Sequence, residues 1–355
     1  MSKVILGMSG GVDSSVTAHI LKEQGYEVEG VSFLLWEARM RNDFSGCCSL
    51  ESTQSASQTA EHLGIVHTSV DVRVEFIEKV IEPFADAYFR GLTPNPCILC
   101  NKHIKFPFLL KEAEKRGAEY ISTGHYARTA RDETGNGSVL LKKGVDSRKD
   151  QSYVLYVLRN EMVKRLLLPL GDYTKDKVRE IARNLNLEAA ERPESQEICF
   201  INDNDYGGFL EKLSPSLCRP GTLRDLKGQE LGTHKGIYRY TIGQRKGLGI
   251  SSLLPYYVTK IDVETNTVYV GPRENARCRE VTVKELNWLV APKSDSFRAT
   301  VKVRSMMKDM PAAIEMHGEI VRVVFDEPQW APAPGQSAAI YDGDIVMGGG
   351  IIQPQ

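Results

Sequence analysis

Ser9-Gly10-Gly11-Val12-Asp13-Ser14-Ser15 is the stretch that decides the fold. Before it, residues 3–6 read as a short buried strand; after it, residues 14–24 carry helical spacing and stop at Gly25. A glycine-rich turn between strand and helix is where a doubly wound α/β sheet holds phosphate, because backbone N–H groups there point at the anion. Gly10 and Gly11 allow close approach, and Ser9, Ser14 and Ser15 add hydroxyl donors. No Gly-Lys-Ser/Thr follows, so this is not a Walker loop, and it is not G-x-G-x-x-G. An ordinary Ser/Gly turn with Asp13 or Ser14 as helix cap is the plainer alternative.

Outward from the loop, strand and helix alternate. Residues 28–33 and 66–70 predict strands, residues 55–63 a helix stopped by Gly64, and residues 106–116 a helix followed by strand-like Tyr120-Ile121-Ser122. Helical texture continues over residues 175–184. This alternation predicts an α/β fold, a doubly wound parallel sheet with helices on both faces. After about Asp205 glycine and proline become frequent (Pro215, Pro220-Gly221, Gly228, Gly232, Gly236) and helical periodicity fades. From about Cys278 the pattern is period-two, over residues 297–304, 320–325, 338–341 and 345–347, with Asp342-Gly343 as a hairpin signal. The expected division is an α/β catalytic domain over 1–204, a small central domain over 205–277 and a C-terminal β-barrel over 278–355.

Composition narrows the setting. With 355 residues, 41% hydrophobic, the chain can bury a sizeable core. Forty-five basic residues against 46 acidic leave no global charge that advertises nucleic acid, so RNA contacts must come from local stretches such as residues 239–246 or 298–308. Gly7 ends the first apolar stretch too early for a secretory signal, and no run approaches the ~18 apolar residues of a membrane span. Seven cysteines, an odd number, suit a reducing cytoplasm with thiols kept for chemistry or metal. A cytoplasmic protein without a membrane segment is expected.

Cys97-Ile98-Leu99-Cys100 follows Thr93-Pro94-Asn95-Pro96, whose prolines predict extended backbone. Cys199 closes Glu194-Ser195-Gln196-Glu197-Ile198-Cys199. Such thiols can serve as nucleophile, persulfide carrier, redox partner or metal ligand. Between Ile198 and Phe200, Cys199 is also readable as a small buried hydrophobe. Cys218 and Cys278 have no partner pattern, and adjacent Cys47-Cys48 are bystanders unless redox-active.

The loop resembles the pyrophosphate loop of the ATP pyrophosphatase superfamily. In order along the chain stand Thr93-Pro94-Asn95-Pro96, Cys100-Asn101-Lys102 with Ile104-Lys105-Phe106, Gly124-His125-Tyr126-Ala127, Lys149-Asp150-Gln151-Ser152-Tyr153, Ile198-Cys199-Phe200 and Gly243-Gln244-Arg245-Lys246-Gly247-Leu248-Gly249. Together with the loop they resemble the tRNA-specific 2-thiouridylases of the MnmA/TrmU type over essentially the whole chain. The resemblance implies tRNA 2-thiouridine synthesis at the wobble uridine: ATP, with Mg2+, adenylates the uracil C2 oxygen, and a cysteine persulfide then delivers sulfur as AMP leaves.

It further implies that Gly7, Met8, Ser9, Gly10, Gly11, Val12, Asp13, Ser14, Phe33 and Gly124 bind ATP. Cys199 would carry the persulfide, with Cys100 the nucleophile that resolves it through a transient Cys100–Cys199 disulfide. Asn95, Pro96 and Cys97 would lie beside a flipped target base. His125, Lys149, Asp150, Gln151, Arg304, Ser305 and Gln336 complete the expected base and tRNA contacts. For Phe33 a buried strand aromatic, for His125 a core histidine, for residues 149–151 a solvated loop and for Arg304 a surface charge are the plainer alternatives. The implied partners are lysine, glutamate and glutamine tRNAs and a sulfur-relay protein or cysteine desulfurase, with no resident metal.

Two positions depart from the family pattern. Some members carry Asp where this chain has Cys97, and Ser55-Ala56 stands where Asp-Ala is expected. The third thiol opens an alternative, an iron–sulfur-cluster thiolase using Cys97, Cys100 and Cys199 as ligands. A non-catalytic tRNA-binding protein with a relict loop, or a small-molecule amidating synthetase, fits the cysteines less well.

Overall fold

The computed structural model describes residues 1–36, 50–132, 137–187, 190, 198–201 and 205–354. Cys47-Cys48 and residues 194–197 lie outside them. The chain forms two compact units: Met1–Val80, Cys97–Asn204 and Asp344–Val346 make the first, and Ile81–Pro96, Asp205–Gly343 and Met347–Gln355 the second.

The first unit opens with β1 (Lys3–Gly7), α1 (Val12–Glu23), β2 (Glu27–Leu34), α2 (Leu50–His62) and β3 (Val66–Asp71). Later come β4 (Tyr120–Thr123), the hairpin β5 (Ala127–Arg131) with β6 (Val139–Lys143), and β7 (Leu166–Leu167). The sheet order is β3-β2-β1-β4-β7, and all four pairings are parallel. Strand order therefore reverses between β1 and β4, which makes the C-terminal ends of these two strands the topological switch point of the sheet. The centre strand is buried throughout Val4, Ile5 and Leu6, as a strand covered on both faces requires. Leu6, Met8, Ala18, Leu21, Ala56 and Ala60 share one core cluster. Val12, Val16 and Ile20 on α1 pack with Val178 and Ala182 of the helix Lys175–Asn184 in another.

A helical run with a change of pitch begins at Pro96: α-helix over Pro96–Cys100, π-helix over Asn101–Lys105, and α-helix again over Phe106–Lys115. The non-helical backbone expected of the prolines ends at Asn95, because proline's fixed φ and missing N–H suit the first helical position.

In the second unit β8 (Gly221–Asp225), β9 (Glu230–His234), β10 (Tyr257–Asp262) and β11 (Thr267–Gly271) form a four-stranded sheet, ordered β10-β11-β8-β9. The frequent glycines and prolines thus mark turns of a small β domain. The remaining strands are β12 (Arg277–Trp288), β13 (Ser296–Lys302), β14 (Met310–His317), β15 (Ile320–Trp330), β16 (Ser337–Asp342) and β17 (Ile345–Ile352). Their order is β12-β15-β14-β13-β16-β17, and the pairing of β17 with β12 closes a barrel without free edges. Val281, Val283, Ile314, Val323, Phe325 and Ile340 fill its interior. Gly343 takes φ +58 in the hairpin that Asp342-Gly343 predicted. The doubly wound α/β sheet, small central domain and C-terminal β-barrel expected from the sequence are the fold observed. No helix among the described residues is long and apolar enough to cross a membrane.

Candidate active site

The glycine loop leaves β1 at the switch point and is tied down locally. The N–H of Met8 donates to the Val31 carbonyl at 2.8 Å, and Ser32 Oγ donates to the Met8 carbonyl at 2.7 Å. Gly11 precedes α1 with extended backbone, and its carbonyl accepts from Ser14 Oγ and Ser15 Oγ, each at 3.0 Å. Gly10 has φ +75, and a Cβ there would lie 2.3 Å from the Ser52 carbonyl oxygen. Buried Ser55 donates from Oγ to the Gly10 carbonyl at 3.1 Å. The departure Ser55-Ala56 therefore has a structural use that the sequence did not reveal. Gly124 follows β4, and a Cβ on it would sit 2.9 Å from the Ser14 backbone nitrogen. Only glycine lets the two segments approach so closely. Phe33, near the C-terminal end of β2, is half-buried and meets Phe108 edge-on, with 6.4 Å between ring centroids.

Asp13 lies in the first turn of α1 with its carboxylate gripped from two sides. Lys175 Nζ donates to Oδ1 at 2.7 Å and Oδ2 at 2.9 Å, and Tyr126 Oη donates to Oδ1 at 2.7 Å. Both Lys175 and Tyr126 are buried. Tyr126 also exchanges hydrogen bonds with Gln151, its N–H donating to Oε1 at 2.9 Å and its carbonyl accepting the Gln151 N–H at 2.8 Å. Asp150 is committed to its own loop, accepting from the Gly144 and Ser152 N–H groups and from Ser152 Oγ. The Lys149 N–H donates to the Asp146 carbonyl at 3.0 Å.

The thiols form a second group in the same unit. Cys100 is buried, Cys199 half-buried in a turn whose Phe200 packs edge-on against Phe76, and Cys97 exposed. Burial pushes the Cys100 thiol up to about 12; Lys105 pulls the other way, by its charge and by its N–H, while Cys199 and Cys97 add to the rise. Cys97 is likewise raised by the protein around it, against the pull of Lys105, with Cys199 adding to the rise. The fold thus brings Cys97, Cys100 and Cys199 within electrostatic reach of one another, across about a hundred residues of chain.

The π-helical turn explains why Lys105 joins them. On an α-helix, positions i and i+5 lie about 140° apart, on different faces. The wider π turn, closed by i→i+5 hydrogen bonds, brings Lys105 back over Cys100. His125 stacks on the next residue, Phe106, at 5.8 Å, and its Nδ1 bonds Thr123 Oγ1 at 2.7 Å. Burial, with Lys105 adding to it, drops the imidazole to about 3, so the ring is neutral near pH 7.

Among the described residues no three His, Cys, Asp or Glu side chains converge to hold a metal ion. The cluster alternative on Cys97, Cys100 and Cys199 therefore finds no ligand set here, because the thiols are neighbours without the convergence that coordination demands.

Asn95, Pro96, Arg304, Ser305 and Gln336 belong to the second unit. Arg304 Nη2 donates to the Ile242 and Ala331 carbonyls at 2.8 and 2.7 Å. Gln336 Nε2 donates to the Thr93 carbonyl at 2.8 Å. Both side chains are internal ties in this structure, and Ser305, next to Arg304 in the chain, is half-buried. Lys175 is a contact to the loop that the sequence did not single out; Tyr126 stood only within a motif and Ser55 only as a departure, and nothing local marks any of the three as reaching the loop from its distant segment.

Three family models match in succession: a tRNA methyl transferase HUP domain over residues 2–203, a tRNA methyl transferase PRC-barrel domain over 207–272 and an aminomethyltransferase beta-barrel domain over 278–352. Among curated relatives, tRNA-specific 2-thiouridylase MnmA 1 of Caldanaerobacter subterraneus subsp. tengcongensis is 48% identical, over 99% of this chain and 98% of its own length. The MnmA of Clostridioides difficile is 47% identical with the same coverage, and that of Carboxydothermus hydrogenoformans 47% identical over 99% and 97%. With identity at this level from end to end, the chain belongs to the tRNA-specific 2-thiouridylase family.

Proposed function

We propose that this protein is an ATP-dependent tRNA-uridine 2-sulfurtransferase that works in two steps. A uracil C2 carbonyl is urea-like, and its oxygen leaves poorly until it is esterified. In the first step that oxygen attacks the α-phosphorus of ATP, which enters as its magnesium complex. The bond to the β-phosphate oxygen breaks, and pyrophosphate departs. Residues 7–14, with Phe33 and Gly124, hold the nucleotide; a left-handed Gly10 and the close packing of Gly124 on Ser14 support this assignment.

In the second step the terminal sulfur of a Cys199 persulfide attacks C2, and AMP leaves with the former C2 oxygen. Cys100 then gives up its thiol proton, which replaces the one that uracil N3 lost on adenylation, and attacks Cys199 Sγ; the persulfide S–S bond breaks, and the terminal sulfur stays on C2 as the thiocarbonyl. A Cys100–Cys199 disulfide results, which a cellular thiol reductant resets with two electrons. Neutral His125 and the Lys105 ammonium face this chemistry. Asn95, Pro96 and Cys97 flank the flipped base, and residues 149–151 with Arg304, Ser305 and Gln336 engage or shape the tRNA surface. The substrates are the wobble uridines of lysine, glutamate and glutamine tRNAs, and the donor is a sulfur-relay protein or a cysteine desulfurase in the cytoplasm. Activation and sulfur transfer belong to the domain 1–204, and tRNA contact extends over the central domain 205–277 and the barrel 278–355.

End-to-end identity of 47–49% with curated 2-thiouridylases is the observation that carries this proposal. The test is mass analysis of tRNA nucleosides after incubation with protein, ATP and a persulfide or sulfide donor. A 2-thiouridine product that requires ATP is expected; unmodified uridine under all donor conditions would refute it.

A further inference from the structure

We propose that Lys175 is a residue of the nucleotide site, its ammonium group neutralising Asp13 in the resting loop and facing the triphosphate when ATP is bound. The inference rests on residues 7–14 being the nucleotide loop. Asp13 stands two residues past Gly11, where the loop becomes α1, so an unpaired carboxylate there would repel the polyanion that the loop is shaped to receive. Lys175 removes that conflict. It touches both carboxylate oxygens and is buried, with its side chain 7% exposed.

Its placement is built from several elements. Lys175 is the first residue of the helix Lys175–Asn184, which Thr174 caps by accepting from the Lys177 N–H. Its own N–H donates to Asp146 Oδ2 at 3.1 Å, its ammonium lies 5.5 Å from the centroid of the Tyr126 ring, and that ring's hydroxyl holds Asp13. Fold stability alone gives little reason for such an arrangement, since a buried ion pair is commonly replaced by apolar side chains without loss. A lysine whose charge is desolvated beside a phosphate loop is suited to bind an anion, and Asp13 is the counter-ion that keeps it aimed there.

The experiment uses the full-length protein, ATP titration calorimetry and thermal melting, on wild type, Lys175→Met, Asp13→Asn and the double variant. Asparagine still accepts from Tyr126, and the double variant carries no buried unpaired charge, so its melting temperature is expected near that of wild type. It should bind ATP at least about tenfold more weakly than both wild type and Asp13→Asn, the difference between the last two isolating the lysine. If the folded double variant binds like wild type, or if Asp13→Asn alone accounts for the whole loss, Lys175 is only a structural tie. Wild-type protein that does not bind ATP would instead remove the nucleotide reading, and this proposal with it.

Discussion

Gln336 donates from Nε2 to the carbonyl of Thr93 at 2.8 Å, joining positions 243 residues apart within the second unit. Thr93 is held twice more, its N–H donating to the Pro334 carbonyl at 2.8 Å and its hydroxyl bonding Thr241 Oγ1 at 3.2 Å. Asn95 and Pro96, expected beside the target base, leave this anchored point after two residues. Gln336→Ala removes one tie and should lower stability by about 1 kcal/mol. Thiolation should fall through a raised KM for tRNA, with ATP affinity unchanged. A variant with wild-type melting and wild-type tRNA kinetics would show that the tie positions nothing.

Gly10→Ala tests the loop itself. At φ +75 an L residue is strained by about 1–2 kcal/mol, and the new methyl would meet the Ser52 carbonyl at 2.3 Å. Backbone cannot yield as a side-chain end can, so the loop must shift. ATP binding should be lost while the protein keeps its circular-dichroism spectrum. Unchanged ATP affinity in this variant would exclude close contact between loop backbone and phosphate.

Much of this unit was legible from sequence because its signals are local. The turn at residues 9–15, the stops at Gly25 and Gly64, and the apolar run of β1 each declare themselves within a few residues. Helix 175–184 was read with both ends correct, yet nothing in Tyr173-Thr174-Lys175 says that its lysine crosses 162 positions to Asp13. Ser55 was seen only as a departure from a pattern, because its partner is a backbone carbonyl brought near by folding. The π turn was invisible for a different reason: Asn101–Lys105 carries ordinary helical residues, and its widening becomes evident only in the hydrogen-bonded backbone. Arg304 and Gln336, expected as RNA contacts, also hold internal hydrogen bonds, which an isolated polar residue in a strand-rich tail cannot announce.

Cys100 gives a pH prediction with a definite sign. Burial holds its thiol protonated up to about 12, against 9.0 for an unperturbed thiol. Between those values the unfolded chain has lost the proton and the native protein keeps it, so stability falls as pH rises above about 9, by at most about 1.4 kcal/mol per pH unit. Below that window the group contributes no pH dependence. Comparing urea unfolding of wild type and Cys100→Ser at pH 8 and pH 10 isolates the effect from other groups. Wild type should lose more stability over this range than the serine variant; equal losses would mean that Cys100 titrates as a free thiol.

Cys199→Ser should separate activation from sulfur transfer. The loop that holds ATP and the thiol group are built from different segments of the first unit, and adenylation uses no sulfur. The variant should release pyrophosphate in a tRNA-dependent manner and accumulate adenylated tRNA while making no 2-thiouridine. If pyrophosphate release disappears as well, the two steps do not divide between loop and thiols as proposed.

Cys97 distinguishes the two sulfur chemistries, and here structure and sequence argue together. A three-cysteine cluster needs Cys97 as a soft ligand, whereas a persulfide relay between Cys199 and Cys100 uses only its shape and polarity. The family pattern that the sequence resembles implies that Asp is accepted at this position. The surroundings can also receive a carboxylate: Cys97 is exposed, and Lys105 lies close enough to favour a negative charge there. No three ligating side chains converge among the described residues, so the cluster reading finds no ligand set. Cys97→Asp should therefore fold, bind ATP normally and retain thiolation within about fivefold of wild type, a change of about 1 kcal/mol in barrier, with a persulfide donor and without iron. The measurement is 2-thiouridine yield in anaerobic and chelator-treated reactions. A dead Cys97→Asp protein, beside wild type whose activity follows iron reconstitution, would replace the relay with cluster chemistry.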